Sequence, residues 1–155
     1  MTIEDTLIGL VGGFVISLVT FYVSMKLKRR TARRESLRKH VRKFFPILRE
    51  LGDDLRYTIS IRMRNDTRAT RIKELSEKIV IKLNSFEKAY TDFRMTGLEP
   101  ELESSDKKMS NELKGLFTMW KIDDPIALPN KLNIYYSKVL ACRNLLESYL
   151  KRLYS

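Results

Sequence analysis

Cys142 and His40 are the only cysteine and the only histidine in the chain, so thiol and imidazole chemistry rest on one residue each. A lone cysteine excludes an intramolecular disulfide, and the pair cannot build a Cys/His zinc site from one chain. Cys142 has Val139 three residues before it and Leu146 four after it, which places it on an apolar helix seam as a structural thiol. His40 sits among Arg38, Lys39, Arg42 and Lys43 and reads as a surface histidine of a basic helix. The acidic doublets are Asp53-Asp54, expected on a solvated helix face, and Asp123-Asp124, whose second member precedes Pro125 as a helix cap would. Glu99, Glu101 and Glu103 lack the spacing and glycine of an EF-hand and are expected in a solvated acidic loop. No phosphate-cradling glycine loop, GxSxG or HExxH occurs. The expectation is therefore no catalytic residues, no metal ligands, no cofactor and no enzymatic activity. Trp120 and the tyrosines, spread along several segments, are expected at the rims of a core.

The side chains that carry a signal are cationic. Residues 26–43 read KLKRRTARRESLRKHVRK, with ten Lys/Arg against Glu35, while residues 44–155 carry 20 basic and 16 acidic side chains. Most of the formal net charge of +11 thus lies in one short block, and the rest of the chain is nearly balanced. Lys26, Lys28, Arg29, Arg30, Arg33, Arg34, Arg38 and Lys39 are the candidate contacts to anionic lipid headgroups. Lys/Arg-rich stretches also contact nucleic-acid phosphates, but no aromatic is interleaved before Phe44 and no nucleic-acid-binding module is visible. Lipid is the expected polyanion, and nucleic acid the lesser expectation.

What positions this block is the segment before it. Thr6 to Met25, TLIGLVGGFVISLVTFYVSM, holds no charge. Twenty helical residues rise about 30 Å, the thickness of a bilayer's hydrocarbon core. The basic residues follow the apolar run rather than precede it, and no A-x-A-like site is present, unlike a cleaved signal peptide. Glu4 and Asp5 lie before the run and the Lys/Arg block after it, so the positive-inside rule places the N-terminus outside and the bulk of the chain in the cytoplasm of a single-pass cell-membrane protein. Within the run, Gly9, Gly13 and Ser17 recur every four residues as a small-residue stripe for transmembrane packing, with a second copy or a partner membrane protein.

Beyond the block, apolar residues fall at helical spacing. Leu37, Val41, Phe44, Leu48, Leu51 and Leu55 form a first seam, with a kink or break expected at Pro46 and an end near Met63. Ile72, Leu75, Ile79, Leu83, Phe86, Tyr90 and Phe93 form a second, after a turn in which Asp66 or Thr67 could cap. It is closed by Gly97, Leu98 and Pro100. Ser104 or Ser105 is expected to start a third helix with Met109, Leu113, Leu116 and Trp120 inward. After Pro129-Asn130, Leu132, Tyr135, Val139, Cys142, Leu146, Tyr149 and Leu153 alternate by three and four as in a heptad repeat.

The expected fold class is all-α, with one N-terminal transmembrane helix followed by a cytoplasmic helical bundle of about four helices, up-and-down. The expected divisions are residues 1–5 outside, 6–25 in the membrane, 26–43 as a basic juxtamembrane helix and 44–155 as the bundle. The leading functional expectation is a membrane-anchored interaction or scaffold module, a subunit of a membrane-associated assembly. The alternative is a membrane-active effector or pore-forming protein that oligomerises through its transmembrane helix. A membrane tether for nucleic acid is the weaker third.

Overall fold

A computed structural model describes the backbone of residues 3–63, 69–122 and 128–154, and the side chains of residues 12–63, 71–121 and 130–153. The described residues are all-helical, without a strand. The elements are α1 (Ile3–Met63), α2 (Ala69–Met95), α3 (Glu99–Ser105), α4 (Lys107–Ile122) and α5 (Leu128–Tyr154). The chain divides into two compact units, Met1–Ser36 and Leu37–Ser155.

The second unit is a helical bundle built by the seams that the periodicity predicts. Leu37, Val41, Phe44, Leu48, Leu51 and Leu55 of α1 are buried, as are Ile79, Leu83, Phe86, Tyr90 and Phe93 of α2. Met109, Leu113, Leu116 and Trp120 of α4, with Val139, Cys142 and Leu146 of α5, complete the core. Phe117, which the third seam did not include, is buried too. Leu37 and Val41 belong to this core although they lie within the basic segment 26–43.

Residue pairs between helices set the topology. Phe44 meets Phe86, Tyr90 and Phe93 at ring separations of 5.8–6.1 Å, and Lys82 reaches Glu50 and Asp54, so α1 and α2 run antiparallel. Tyr90 meets Phe117 at 4.8 Å and Glu87 pairs with Lys121, which sets α4 antiparallel to α2. Trp120 packs edge-on to Tyr135 and Lys138 reaches Glu112, which does the same for α5 on α4. The ring closes where a Cβ at Gly52 would lie 3.6 Å from Val139 and Asp53 faces Arg143. Successive long helices are neighbours with alternating direction, the up-and-down arrangement that short connections favour.

Three local expectations are corrected. Pro46 does not break α1, which is helical from Ile3 to Met63. A proline inside a helix costs on the order of 3 kcal/mol; here its own side is exposed, while Phe44 and Leu48 flanking it are fully buried and hold both halves on one core. Residues 6–25, 26–43 and the first bundle segment accordingly lie on one continuous helix. The acidic loop is α3, with Pro100 in its first turn, where a missing amide hydrogen is harmless. Gly97, at φ 67°, makes the left-handed turn before it, and Leu98 folds back into the core as expected. The cap of α4 is Asp106 rather than Ser104 or Ser105: the Met109 amide donates to Asp106 Oδ1 at 3.0 Å. The expected caps at Asp66, Thr67 and Asp124-Pro125 lie outside the described residues.

Among the described residues no helix is long and apolar enough to cross a membrane. The side chains of residues 6–11, the first part of the apolar run, lie outside the described set.

Candidate functional site

In the first unit the described residues 12–25 carry no charge and are exposed on every side. Phe14, Val15, Ile16, Leu18, Val19, Phe21, Tyr22 and Val23 retain between 48% and 68% of their accessible surface. At 100° per residue these positions spread over about 220° of the helix circumference, and the remaining strip carries the small or hydroxyl residues Gly13, Ser17, Thr20 and Ser24. The Thr20 hydroxyl donates to the Ile16 carbonyl at 2.8 Å. A Cβ added at Gly12 or Gly13 would meet nothing within 4 Å. Gly13 and Ser17 share one face by their spacing, while the surroundings of Gly9 lie outside the described residues.

Directly downstream the helix turns cationic. Lys26, Lys28, Arg29, Arg30, Arg33 and Arg34 are exposed in the first unit, and Arg38 and Lys39 are exposed in the second. The bundle seam, stepped back from Leu37 by threes and fours, meets Arg34, Arg33 and Arg30. Basic residues at these positions cannot be buried in an apolar interior, which is why the core ends at Leu37.

The titratable groups of the bundle serve the fold. Cys142 is fully buried, and burial, with the Glu112 charge, pushes its thiol up to about 12, against the smaller opposing effect of Lys138. It is therefore a protonated core thiol and no nucleophile at neutral pH. Burial likewise raises Tyr90, whose hydroxyl donates to Glu99 Oε1 at 2.8 Å; Glu99 also faces Arg94 at 3.6 Å. Glu99 is thus a partner inside the fold rather than a solvated acid, and Glu103 pairs with Lys114. Burial lowers the Lys82 pKa, but hydrogen bonds and charge from Asp54 and Glu50 outweigh it, and the net shift is upward. Asp54 Oδ2 is buried without a well-aligned hydrogen bond, and the Lys82 ammonium at 2.9 Å supplies its compensation. Asp53 is exposed on its helix face as expected, and the His40 ring lies 6.2 Å from that of Phe93. Among the described residues no three His, Cys, Asp or Glu side chains could together hold a metal ion.

The sequence reading missed Asp106 as a junction. Besides capping α4 it pairs with Arg152 near the end of α5, while Ser105 donates to the Tyr149 hydroxyl at 3.1 Å. An aspartate directly before the run KKMSNELKGLF was the available signal for the cap. Nothing local signalled its reach to Arg152.

Two features therefore distinguish the chain: an exposed, uncharged and mostly apolar helical segment and the cationic block that follows it on the way into a four-helix core. Comparison of the chain with protein-family models, with curated proteins and with solved structures produced no match.

Proposed function

We propose that the chain is a membrane-anchored helical interaction module, a subunit of a membrane-associated assembly. Residues 6–25 cross the bilayer once, with the N-terminus outside and the bundle in the cytoplasm. The observation that supports this reading is the exposure, between Phe14 and Val23, of eight large apolar side chains spread over more than half of the helix circumference and covered by nothing else in their unit. Apolar surface of that extent is unfavourable in water, and a helix so broadly apolar belongs in lipid or inside protein. The described part of the run, residues 12–25, rises about 21 Å, too short to cross alone; with residues 6–11 the run reaches about 30 Å, the hydrocarbon thickness.

The cationic block holds the orientation, and its first residues meet the anionic headgroups where the helix leaves the bilayer. Each basic residue near the surface contributes about 1 kcal/mol, so half of the ten supply several kcal/mol. The Gly9-Gly13-Ser17 row is the contact for a neighbouring span, either a second copy or a partner membrane protein.

Topology mapping tests the proposal. A reporter fused after Ser155 should be active only in the cytoplasm, and a cysteine at Thr2 should be labelled only from outside. Extraction of the chain from membranes by alkaline carbonate would overturn the anchor. Release of entrapped dye from vesicles would move the function to the pore-forming alternative, although Thr20 already donates its hydroxyl within the helix and offers a pore little polarity.

A further inference from the structure

We infer that the cationic stretch after the apolar run takes one kind of lipid, whose headgroup carries phosphomonoester groups raised above the headgroup layer. This deepens the anchor and rests on the reading that residues 6–25 cross the bilayer. The surface lies wholly within the first unit, Met1–Ser36, where residues 26–35 are exposed on every side. At 100° per residue, Lys26, Arg29, Arg30 and Arg34 fall within an arc of about 140°, and Arg33 shares it. Lys28 and the one acid of the stretch, Glu35, fall on the opposite side. Every residue of 26–35 inside the arc is therefore basic. One continuous helix carries both these side chains and the apolar run, so the helical rise sets their heights above the end of the run.

Counted from Met25, the rise is about 1.5 Å at Lys26, about 6 Å at Arg29, about 7.5 Å at Arg30 and about 13.5 Å at Arg34. A headgroup layer is about 5–7.5 Å thick. Lys26, Arg29 and Arg30 stand within that depth, and Arg34 stands beyond it. Side chains lean toward the N-terminus of their helix, which here is toward the bilayer, so the long ones of the upper turns reach back down. A column of cations of that height exceeds what a phosphatidylserine headgroup can meet, because its single net negative charge lies inside the layer. A phosphorylated inositol ring stands above the layer and carries about −1.5 to −2 on each phosphomonoester. Guanidinium groups grip such phosphates through paired N–H donors, and the arc is rich in arginine. An acidic protein is less suited, because within 26–35 the arc holds no apolar side chain around which an interface core could form.

The test uses the full chain reconstituted in phosphatidylcholine vesicles. Ala32→Cys, exposed and outside the arc, carries a fluorescent donor; Cys142 is fully buried and stays unlabelled in the folded protein. Energy transfer to acyl-chain-labelled phosphatidylinositol 4,5-bisphosphate should saturate at a much lower mole fraction than transfer to labelled phosphatidylserine at equal total charge, and salt should weaken it. Each basic residue near the surface is worth about fivefold, so Arg30→Gln with Arg34→Gln should raise the half-saturating fraction by about thirtyfold. Lys28→Gln, at a similar depth on the opposite side, should change little. Equal gathering of the two lipids at equal charge overturns the phosphomonoester headgroup and leaves the anchor intact. Lys28→Gln as costly as Arg30→Gln overturns the face. Soluble inositol trisphosphate or duplex DNA that displaces the labelled lipid at equal phosphate concentration overturns a membrane ligand. Flotation reads the anchor separately, and a chain that does not float with vesicles overturns both.

Discussion

Asp106→Ala should destabilise the bundle by about 1.5 kcal/mol, and two further substitutions separate the causes. Asp106 accepts from the Met109 amide at 3.0 Å, three residues into α4, and replacing such a cap by alanine typically costs about 1 kcal/mol. It also pairs with Arg152, whose side chain is 62% exposed. Screening by solvent limits that pair to about 0.5 kcal/mol, even though Asp106 is only 12% exposed. Asparagine keeps a side-chain oxygen for the Met109 amide and removes the charge, so Asp106→Asn should cost only about 0.5 kcal/mol. Arg152→Ala loses the same pair and the contact of the guanidinium over the Tyr149 ring at 5.7 Å, for about 1 kcal/mol. The double-mutant cycle of Asp106→Ala with Arg152→Ala should show a coupling of about 0.5 kcal/mol. The assay is urea unfolding of the full chain in mild detergent, followed by the fluorescence of Trp120, which packs on Tyr135 in the core. Midpoints should move while the slope stays fixed. If Asp106→Asn is as costly as Asp106→Ala, the cap is not the source and the assignment of Asp106 as the cap of α4 fails.

Phe44→Ala removes a fully buried ring that meets three others on α2, and should cost about 3–5 kcal/mol in the same assay, whereas Ile81→Ala on the exposed side of α2 should stay within about 0.5 kcal/mol. Because Cys142 titrates higher in the folded chain than its ordinary 9.0, its contribution is intact below pH 9 and is lost as pH rises toward about 12, where the unfolded thiol ionises first. Cys142→Ala should flatten that decline in a pH series of unfolding curves, and iodoacetamide should modify wild-type Cys142 only once the bundle has been unfolded. Gly13→Ile, in the middle of the small-residue row, should reduce crosslinking between spans without preventing insertion, while Leu18→Ile should change little; unchanged crosslinks and complex size would place any assembly in the bundle instead.

The long helices were legible because each buries one seam, and burial at spacings of three and four writes itself into the sequence position by position. Leu132, Tyr135, Val139, Cys142, Leu146 and Tyr149 are buried in that order along α5. The uncovered apolar run and the block of Lys/Arg after it are likewise matters of local composition, readable without any contact between distant residues. The expectations at Pro46, at Glu99 and for the start of α4 at Ser104 or Ser105 differ from the structure for a common reason. Propensity treats Pro46 as a breaker, but Phe44 and Leu48 are anchored in a core drawn from other helices, and that burial outweighs a local cost. Glu99 looks like one of three loop acids until Tyr90, nine residues back, supplies a hydroxyl for it. The pairing order of the helices was likewise undetermined in sequence, since one apolar seam resembles another. It was decided by which charges and rings meet across the core: Lys82 with Glu50 and Asp54, Lys121 with Glu87, Phe44 with Phe86, Tyr90 and Phe93. Local sequence encodes how much apolar surface each helix must hide, whereas the partner that hides it is selected by long-range shape and charge, which exist only once the chain is packed.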